Sequence, residues 1–212
     1  MSRLEKLRAN PIVDGVITIV SAILIAYVVQ LLIVKPYRIP SESMVPSLAI
    51  GDRVITARLL LRFRDPERGE VFVFHPNGRG SDVFQPAPGE ATASSENYVK
   101  RVVGMPDETI GSLRGQVYTC KGNRVGTAIV NGEVDTARCA FLNEPYVHGQ
   151  QTTTCQGSAD LPPQHIPAKH YLMLGDNREN SADGRCWGQI PRGQLIGRVF
   201  MTYWPLSRIS FR

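Results

Sequence analysis

Histidine is scarce in this 212-residue chain, and none of its histidines is placed for catalysis. His75, His148, His165 and His170 lie in loop-like or β-like segments, without a recognisable pairing of nucleophile and base. No Gly-x-Ser-x-Gly elbow occurs either. These absences argue against a serine hydrolase that depends on a histidine base.

Concentrated positive charge is also missing. The net charge is +5, from 24 basic and 19 acidic residues, and the basic residues are scattered. No basic patch with interleaved aromatic residues and no zinc-finger spacing is present, so the sequence gives no support for nucleic-acid binding. We expect no metal and no cofactor. The small basic excess is compatible with a location beside anionic lipid.

Lysine is rare among the basic residues, since only five of the 24 are lysines. Lys100 alone stands in an apolar, β-type context, Tyr98–Val103. Successive residues of a strand face opposite sides of the sheet, so one of the neighbours Lys100 and Arg101 is expected to point inward. The alternative is an edge-strand lysine that stays in water and blocks aggregation.

An apolar run occupies the N-terminal part of the chain. Residues Val16–Val34 are apolar except for three polar positions, and they would span roughly 29 Å as a helix, close to the ~30 Å core of a bilayer. We therefore predict a cytoplasmic N-terminus at 1–10 and a transmembrane anchor at 11–35. A cleaved signal peptide is the competing interpretation, but its apolar region would be shorter, and no small-x-small site precedes Pro36.

The remaining residues, 36–212, are predicted to form a mainly β domain built from antiparallel sheets. Asn131-Gly132 is a strong hairpin signal, and 77–97 is expected to be a long surface excursion because it is rich in Gly, Pro, Ser and Ala. Short β-prone segments separated by turn residues recur at Arg53–Thr56, Glu70–Phe74, Tyr98–Val103, Ala128–Val130, His170–Leu174 and Arg198–Trp204.

Two serines stand one residue apart just after the apolar run. Ser41 and Ser43 are framed by Pro40 and Pro46, which stiffen the backbone and prevent a continuous helix. A plain linker between an anchor and a domain would look similar. If a serine here is a nucleophile, its base has to be something other than histidine. Lysine can serve only if its pKa falls by about two to three units, which apolar burial can cause.

Four segments, in this order, resemble the motifs of bacterial type I signal peptidases, which are membrane-anchored endopeptidases that use a serine and a lysine. The segments are Pro40–Pro46, Arg68–Phe74, Tyr98–Gly104 and Gly175–Gly188. The resemblance spans about residues 36–204. It implies that Ser43 is the nucleophile and Lys100 the general base, and that the Ser41 hydroxyl and the Ser43 N–H form the oxyanion hole.

The same resemblance assigns supporting roles in the last segment. Ser181 matches a serine that hydrogen-bonds the lysine, and Asp183 and Arg185 match an ion pair that supports the loop. The chain departs from the family pattern at three positions of this segment, where Glu179 replaces the usual Asp, Gly184 the usual Ser, and Cys186 a common aromatic residue.

The resemblance also implies two substrate pockets, for the residue before the cut and for the residue two positions earlier. Both pockets are apolar or carry short hydroxyls, so we expect cleavage after small-x-small. The residues around the first pocket are Ile39, Pro40, Ser41, Met44, Leu48 and Tyr98. Those around the second are Tyr37, Ile39 and Val99.

The expected partners are signal peptides of exported preproteins and membrane lipid. The resemblance places the protein in the cytoplasmic (inner) membrane as a single-pass protein, with the catalytic domain on the outer, periplasmic face. The apolar stretch around Pro36–Pro40 and Met44 is expected to rest on lipid. Two alternatives stay open: a specialised relative that matures one pilin-type substrate, and a membrane-tethered β-domain that binds partners without catalysis.

Four cysteines in an oxidising compartment permit three complete pairings. Cys186 is expected to be free, because a disulfide there would have to reach the catalytic core. Among Cys120, Cys139 and Cys155 we prefer a bond between Cys139 and Cys155. The alternative is that all four are reduced.

Overall fold

The computed structural model describes residues 11–32, 34–75, 97–147 and 160–212. It begins with helix α1 (Pro11–Leu32), 22 residues long, whose described side chains are almost all exposed and largely apolar. The predicted surface excursion at 77–97 lies outside the described residues except for Asn97, as does the predicted N-terminal segment 1–10.

The helix does not continue through the whole predicted anchor. It ends at Leu32, and Val34 already belongs to a strand, so the first strand includes the last two residues of the 11–35 segment. Over the ranges that the structure describes, no helix has the length and apolar character needed to cross a membrane. The structure thus gives no support to the transmembrane anchor expected from the sequence.

After α1 the described chain forms fourteen strands, two short α-helices, α2 (Leu60–Phe63) and α3 (Gly184–Trp187), and two 3-10 helical turns, Arg192–Gln194 and Leu206–Arg208. The strands are β1 (Val34–Arg38), β2 (Arg53–Ala57), β3 (Val71–Phe74), β4 (Tyr98–Gly104), β5 (Glu108–Leu113), β6 (Gln116–Lys121), β7 (Ile129–Val130), β8 (Glu133–Val134), β9 (Cys139–Phe141), β10 (Gln164–His165), β11 (His170–Leu174), β12 (Ile190–Pro191), β13 (Leu195–Trp204) and β14 (Ser210–Phe211).

The strands form one large sheet, a smaller sheet and a two-stranded ribbon, and all pairings are antiparallel. The large sheet runs in the order β1-β2-β13-β3-β4-β11-β12, with β14 added beside β13. The smaller sheet runs β10-β5-β6-β9, and β7 pairs with β8. The prediction of a mainly β fold with antiparallel sheets is confirmed.

Each of the six β-prone segments found in the sequence overlaps a strand. The hairpin predicted at Asn131-Gly132 is also confirmed, since these residues join β7 to β8. Both have positive φ, +51° and +80°, which is the backbone required by the tight turn that matches the twist of two antiparallel strands. Asparagine and glycine tolerate that conformation better than other residues.

The segment that carries Ser41 and Ser43, between β1 and β2, is packed against the large sheet. Three of its side chains, Ile39, Met44 and Leu48, are at most 2 % exposed and pack against valines of the sheet. Burying an aliphatic side chain of this size contributes about 1.5–3 kcal/mol, so the segment is anchored by its own apolar residues. Because Ile39 and Met44 face the core, these two side chains do not belong to the lipid-facing patch expected around Pro36–Pro40 and Met44.

The cysteine predictions are also wrong. Cys120 and Cys139 form a disulfide between directly paired residues of β6 and β9, so Cys139 is not bonded to Cys155. Cys186 is disulfide-bonded too and is not free. Cys155 lies outside the described residues. The register that places Cys120 opposite Cys139 is a property of two strands that the sequence patterns did not reveal.

Removing the Cys120–Cys139 bond should lower stability without removing the active site. The bond joins residues 19 apart, and closing a loop of this size typically contributes about 2–4 kcal/mol. We expect the Cys120→Ala/Cys139→Ala variant to lose that much free energy of unfolding in urea denaturation. Lys121→Ala, an exposed neighbour on β6, is the control and should change it little. An unchanged urea midpoint in the double variant would contradict this account.

Candidate active site

Strand β4 supplies two buried cations to opposite sides of the large sheet. Lys100 pairs with Phe72 of β3, and Arg101 lies between β3 and β11. Lys100 is 3 % exposed and Arg101 is 8 % exposed. The sequence led us to expect only one inward cation, but both are buried because β4 has a neighbouring strand on each side.

Arg101 is stabilised by a full set of partners. Its Nε and Nη2 donate to the two carboxylate oxygens of Asp176, at 2.7 and 2.5 Å, and its Nη1 donates to the carbonyl oxygen of Gly69 at 2.6 Å. Its guanidinium also lies 4.0 Å from the ring centroid of Tyr146. A two-point ion pair of this kind satisfies both charges inside the protein.

The serines belong to a closed loop, which we call the nucleophile loop (residues 39–52). Its ends are tied by backbone hydrogen bonds, from Ile39 N to Asp52 O at 2.8 Å and from Gly51 N to Ile39 O at 2.9 Å. Within it, Leu48 N donates to Met44 O at 2.8 Å. The proline-framed segment is therefore a compact turn structure and not a linker.

Lys100 and Ser43 meet where β4 passes under this loop. Lys100 Nζ donates a hydrogen bond to Ser43 Oγ at 2.5 Å, and Ser41 Oγ lies 3.2 Å from Ser43 Oγ. Ser43 is 7 % exposed. A hydroxyl in direct contact with a buried amine can lose its proton to that amine when the amine is neutral.

The surroundings favour the neutral amine. Burial away from water lowers the pKa of Lys100 from 10.5 to about 8. The negative charges of Asp183 and, more weakly, Asp176 oppose this shift, while the positive charge of Arg185 adds to it. Each of these carboxylates is paired with an arginine, which compensates part of its charge.

A loop from Gly175 to Asp183 covers the other side of the nucleophile loop. Asn177 N donates to the carbonyl oxygen of Ser43 at 3.1 Å, and Asn177 Nδ2 donates to that of Glu42 at 3.2 Å. Asp183 Oδ2 accepts a hydrogen bond from Gly175 N at 2.9 Å, which fixes the two ends of the covering loop.

Asp183 and Arg185 form a buried ion pair at the start of α3. Asp183 Oδ1 accepts from Arg185 Nε at 2.8 Å and from Arg185 N at 3.1 Å. Burial raises the pKa of Asp183, but the hydrogen bonds and positive charge of Arg185, the Gly175 N–H and the charge of Lys100 together outweigh burial and hold that pKa below its ordinary value. Arg185 Nη2 also donates to the carbonyl oxygen of Ser181 at 3.2 Å.

Ser181 does not make the expected hydrogen bond to the lysine. Its Oγ is buried and has no hydrogen-bond partner among the described residues. It is instead packed against Gly175, where a Cβ would lie 2.1 Å from Ser181 Oγ and 2.5 Å from Ser43 O. Only glycine lets the covering loop approach Ser43 and Ser181 this closely.

A cleft of about 230 Å³ opens beside the two reactive side chains. Ile39, Pro40, Met44, Tyr98 and Val99, all predicted for the substrate pockets, line it. So do Ser41, Ser43, Lys100 and Asn97.

Two predicted pocket residues lie elsewhere. Leu48 belongs to the nucleophile loop, but its side chain is fully buried in the core, and Tyr37 packs against the same core cluster. Neither belongs to the described lining of the cleft.

The departures from the family pattern have local reasons in two cases. A Cβ at Gly184 would lie 2.8 Å from the carbonyl oxygen of Met173 and 2.7 Å from Leu172 Cδ1, so any larger residue would collide with β11. Cys186 takes part in a disulfide in place of an aromatic contact. Nothing in the described contacts explains Glu179.

Sequence reasoning missed several residues of the site. Asn97 lines the cleft, Asp176 neutralises Arg101, and Asn177 and Gly175 fix the position of Ser43. The last three fall inside the Gly175–Gly188 motif, so the motif located them without revealing their contacts. In the described part of the chain, no group of three or more His, Cys, Asp or Glu residues is placed to hold a metal ion.

Comparison with known proteins agrees with this geometry. Residues 12–204 match the family model of signal peptidase, peptidase S26. The chain is 32 % identical to signal peptidase I of Leptolyngbya laminosa, over 95 % of this chain and 84 % of that one. It is 33 % identical to probable signal peptidase I-2 of Synechocystis, over 91 % of this chain and 73 % of that one.

A third relative is signal peptidase IB of Staphylococcus aureus, which is 31 % identical over 94 % of this chain and 93 % of its own. The family match covers most of the chain, and it includes the nucleophile loop, strand β4 with Lys100, and the covering loop. This chain therefore belongs to the signal peptidase family, peptidase S26, and is a serine protease of the signal peptidase type.

Proposed function

We propose that the protein removes signal peptides from exported preproteins through an acyl-enzyme formed on Ser43, with Lys100 as general base. The observation that carries this proposal is the hydrogen bond of 2.5 Å between Lys100 Nζ and Ser43 Oγ, inside a site that disfavours the lysine charge. No histidine takes this position among the described residues, where Lys100 is the nitrogen partner of Ser43 Oγ.

The chemistry follows from these positions. Neutral Lys100 accepts the proton of Ser43 Oγ as that oxygen attacks the scissile carbonyl carbon. The negative oxygen that develops is stabilised by the N–H of Ser43 and the hydroxyl of Ser41. Lys100 then gives its proton to the departing amine, which leaves an ester on Ser43. A water molecule, deprotonated by Lys100, hydrolyses that ester and regenerates the hydroxyl.

Ser181 has a supporting role in this proposal. Its Oγ is buried in the covering loop beside Gly175 and Ser43 O, and it has no hydrogen-bond partner among the described residues. An unsatisfied buried hydroxyl is costly, which favours its turning toward Lys100 Nζ once Lys100 has taken the Ser43 proton. A hydroxyl holds the amine without restoring a charge beside it, whereas a carboxylate there would raise the pKa of the lysine.

The cleft supports recognition of small side chains. Its lining is largely apolar, Pro40 stiffens one side, and Lys100 is the one charged residue among the described lining residues. Alternate side chains of an extended peptide share a face, so the residue before the cut and the residue two positions earlier would both face this surface. We infer cleavage after small-x-small.

We also propose that the catalytic body works at the outer face of the cytoplasmic membrane, with α1 in contact with lipid. Along α1 the apolar side chains of Ile12, Ile17, Ile19, Ile23 and Leu24 are all more than half exposed. Such a continuous apolar surface is unfavourable in water and is covered by lipid or by another protein. Lipid is the occupant that suits an enzyme acting on membrane-inserted leader peptides.

Substitution of the dyad should abolish cleavage. We expect Ser43→Ala and Lys100→Met each to lower kcat by at least about a thousandfold on a preprotein substrate, because one removes the nucleophile and the other its base. Lys121→Met, an exposed lysine, is the matched control and should stay fully active. A Lys100→Met variant that is folded by circular dichroism and keeps more than a trace of activity would refute the assignment.

The pH dependence of cleavage should report the same lysine. Activity should rise with pH and reach half its maximum near the Lys100 pKa of about 8, because only the neutral amine can act as base.

Substrate preference can be measured with peptides that vary the residue before the cut and the residue two positions earlier. We expect Ala to be cut best at both positions, and Leu or Phe before the cut to lower kcat/KM by at least about a hundredfold through steric exclusion. A peptide with Ala replaced by Leu at the intervening position is the control and should be cut normally. Efficient cleavage after Leu or Phe would show that the cleft does not select by size.

Membrane location can be tested in spheroplasts with externally added protease. We expect the catalytic body to be degraded from outside and the protein to float with lipid vesicles. Replacing Ile17, Ile23 and Leu24 of α1 with Ser should weaken vesicle binding, while Ser at the exposed Val125 and Val130 should not. Full protection of the body, or vesicle binding unaffected by the α1 changes, would contradict the proposed location.

A further inference from the structure

The underside of the nucleophile loop is held by arginines that lie outside the cleft. Arg101 Nη2 donates to Ser47 Oγ at 3.1 Å, and Arg212 Nη2 donates to the carbonyl oxygen of the same residue. Arg208 donates from Nε to both carboxylate oxygens of Asp52, at 3.0 and 3.1 Å, and its Nη2 lies 3.4 Å from Pro46 O. Three arginines thus contact the part of the loop that follows Ser43.

Arg212 reaches this position because the C-terminal segment folds back along the large sheet. β14 pairs with β13, and Arg212 N donates to Phe200 O at 2.9 Å. Arg198 Nη2 in turn donates to Arg212 O at 2.8 Å. The backbone of Arg212 is therefore fixed from both sides, so its side chain extends from a rigid base.

The Arg212 guanidinium lies among other charged groups, and its surroundings disfavour its charged form. Burial lowers its pKa, and the neighbouring positive charge of Arg101 lowers it further, while Asp176 and Asp52 act in the opposite direction. Its Nε is buried and has no hydrogen-bond partner among the described residues. The contacts of its side chain with the loop are made through Nη2, which donates to the Ser47 carbonyl oxygen.

Ser47 is mechanically linked to Ser43. Leu48, which follows Ser47, donates from its N to the carbonyl oxygen of Met44, which follows Ser43, so one backbone hydrogen bond joins the neighbours of the two serines. The covering loop holds the opposite side through Asn177 N and Ser43 O. Ser43 is therefore held between two supports, and Arg212 belongs to the one on the underside.

We propose that Arg212 is a positioning residue for catalysis, which holds Ser47 so that Ser43 Oγ stays within hydrogen-bond reach of Lys100 Nζ. This inference rests on the proposed Ser43 and Lys100 chemistry. Arg212 is not among the described residues that line the cleft, so its effect should fall on the chemical step and not on substrate binding. Displacement of a reacting group by about 1 Å is enough to cost up to about a hundredfold in rate.

The test compares Arg212→Ala with Arg114→Ala in steady-state cleavage of a preprotein. Arg114 makes an exposed ion pair with Glu133, far from the loop in sequence, and is the matched control. We expect Arg212→Ala to lower kcat about tenfold or more with KM within twofold, and Arg114→Ala to change neither. Arg212→Lys, which keeps a donor of similar length, should recover much of the loss.

Amide hydrogen exchange on the same variants gives a readout that does not need activity. Exchange in the nucleophile loop should accelerate in Arg212→Ala, while exchange in β5 and β6 stays as in the parent protein. If Arg212→Ala does not fold, Arg212→Gln, which keeps a donor but is too short to reach Ser47, takes its place with the same expectations. Unchanged kcat, a change confined to KM, or unchanged exchange in the loop would each overturn the proposal.

The controls separate this inference from the function on which it rests. If Ser43→Ala still cleaves the substrate, the proposed chemistry is wrong, and the exchange data alone report whether Arg212 holds the loop. If Ser43→Ala is inactive and Arg212→Ala is as active as the parent protein, only the role of Arg212 is wrong.

Discussion

The site depends on keeping one amine buried without an unpaired negative charge beside it. Lowering the pKa of Lys100 from 10.5 to about 8 corresponds to about 3 kcal/mol against its charged form. A lone carboxylate nearby would reverse that effect, yet two carboxylates, Asp176 and Asp183, lie close enough to influence the lysine. Each is bound to an arginine through both carboxylate oxygens, and the positive charge of the arginine offsets part of the effect that the carboxylate has on Lys100.

The arginine pairs therefore have an electrostatic role as well as a structural one. Arg101 and Asp176 join β4 to the start of the covering loop, and Asp183 and Arg185 close that loop at its other end. Breaking either pair would leave a buried charge uncompensated, which is strongly destabilising. It would also alter the proton affinity of the base. The same contacts thus control the geometry of the site and the basicity of Lys100. The close approach at Gly175 brings the covering loop against Ser43.

The sequence predicted the parts of the fold whose patterns are local. Strands rich in Val, Phe and Tyr, such as β3 and β4, and the Asn131-Gly132 hairpin were found from composition and alternation alone. β5 and β6 were missed: Gly111 and Ser112 interrupt the apolar pattern of β5, and the strand-favouring residues of β6 form only a short segment, so the two strands are recognised by their pairing with each other. The error in the disulfide follows from that miss, because Cys120 faces Cys139 only through the register of β6 with β9.

The site shows the same division between local and long-range information. The motifs located Ser43 and Lys100, since the residue types and their apolar context carry the chemistry. They did not reveal that Arg101 is buried as well, because its partner Asp176 lies 75 residues further along the chain. Nor did they reveal that Ser181 packs against Gly175 without bonding Lys100, which is set by the closeness of two loops.

The cleft adds a coupling between substrate binding and the base. Lys100 is one of the residues that line it, so a substrate bound in the cleft would lie beside the amine. On the proposed mechanism, we expect a small side chain that fills the cleft to exclude water and desolvate the amine further, which would lower the pKa of Lys100 and favour its neutral form. A side chain that did not enter would leave the amine more hydrated and its charged form more favoured. Size selection and activation of the base would then reinforce each other.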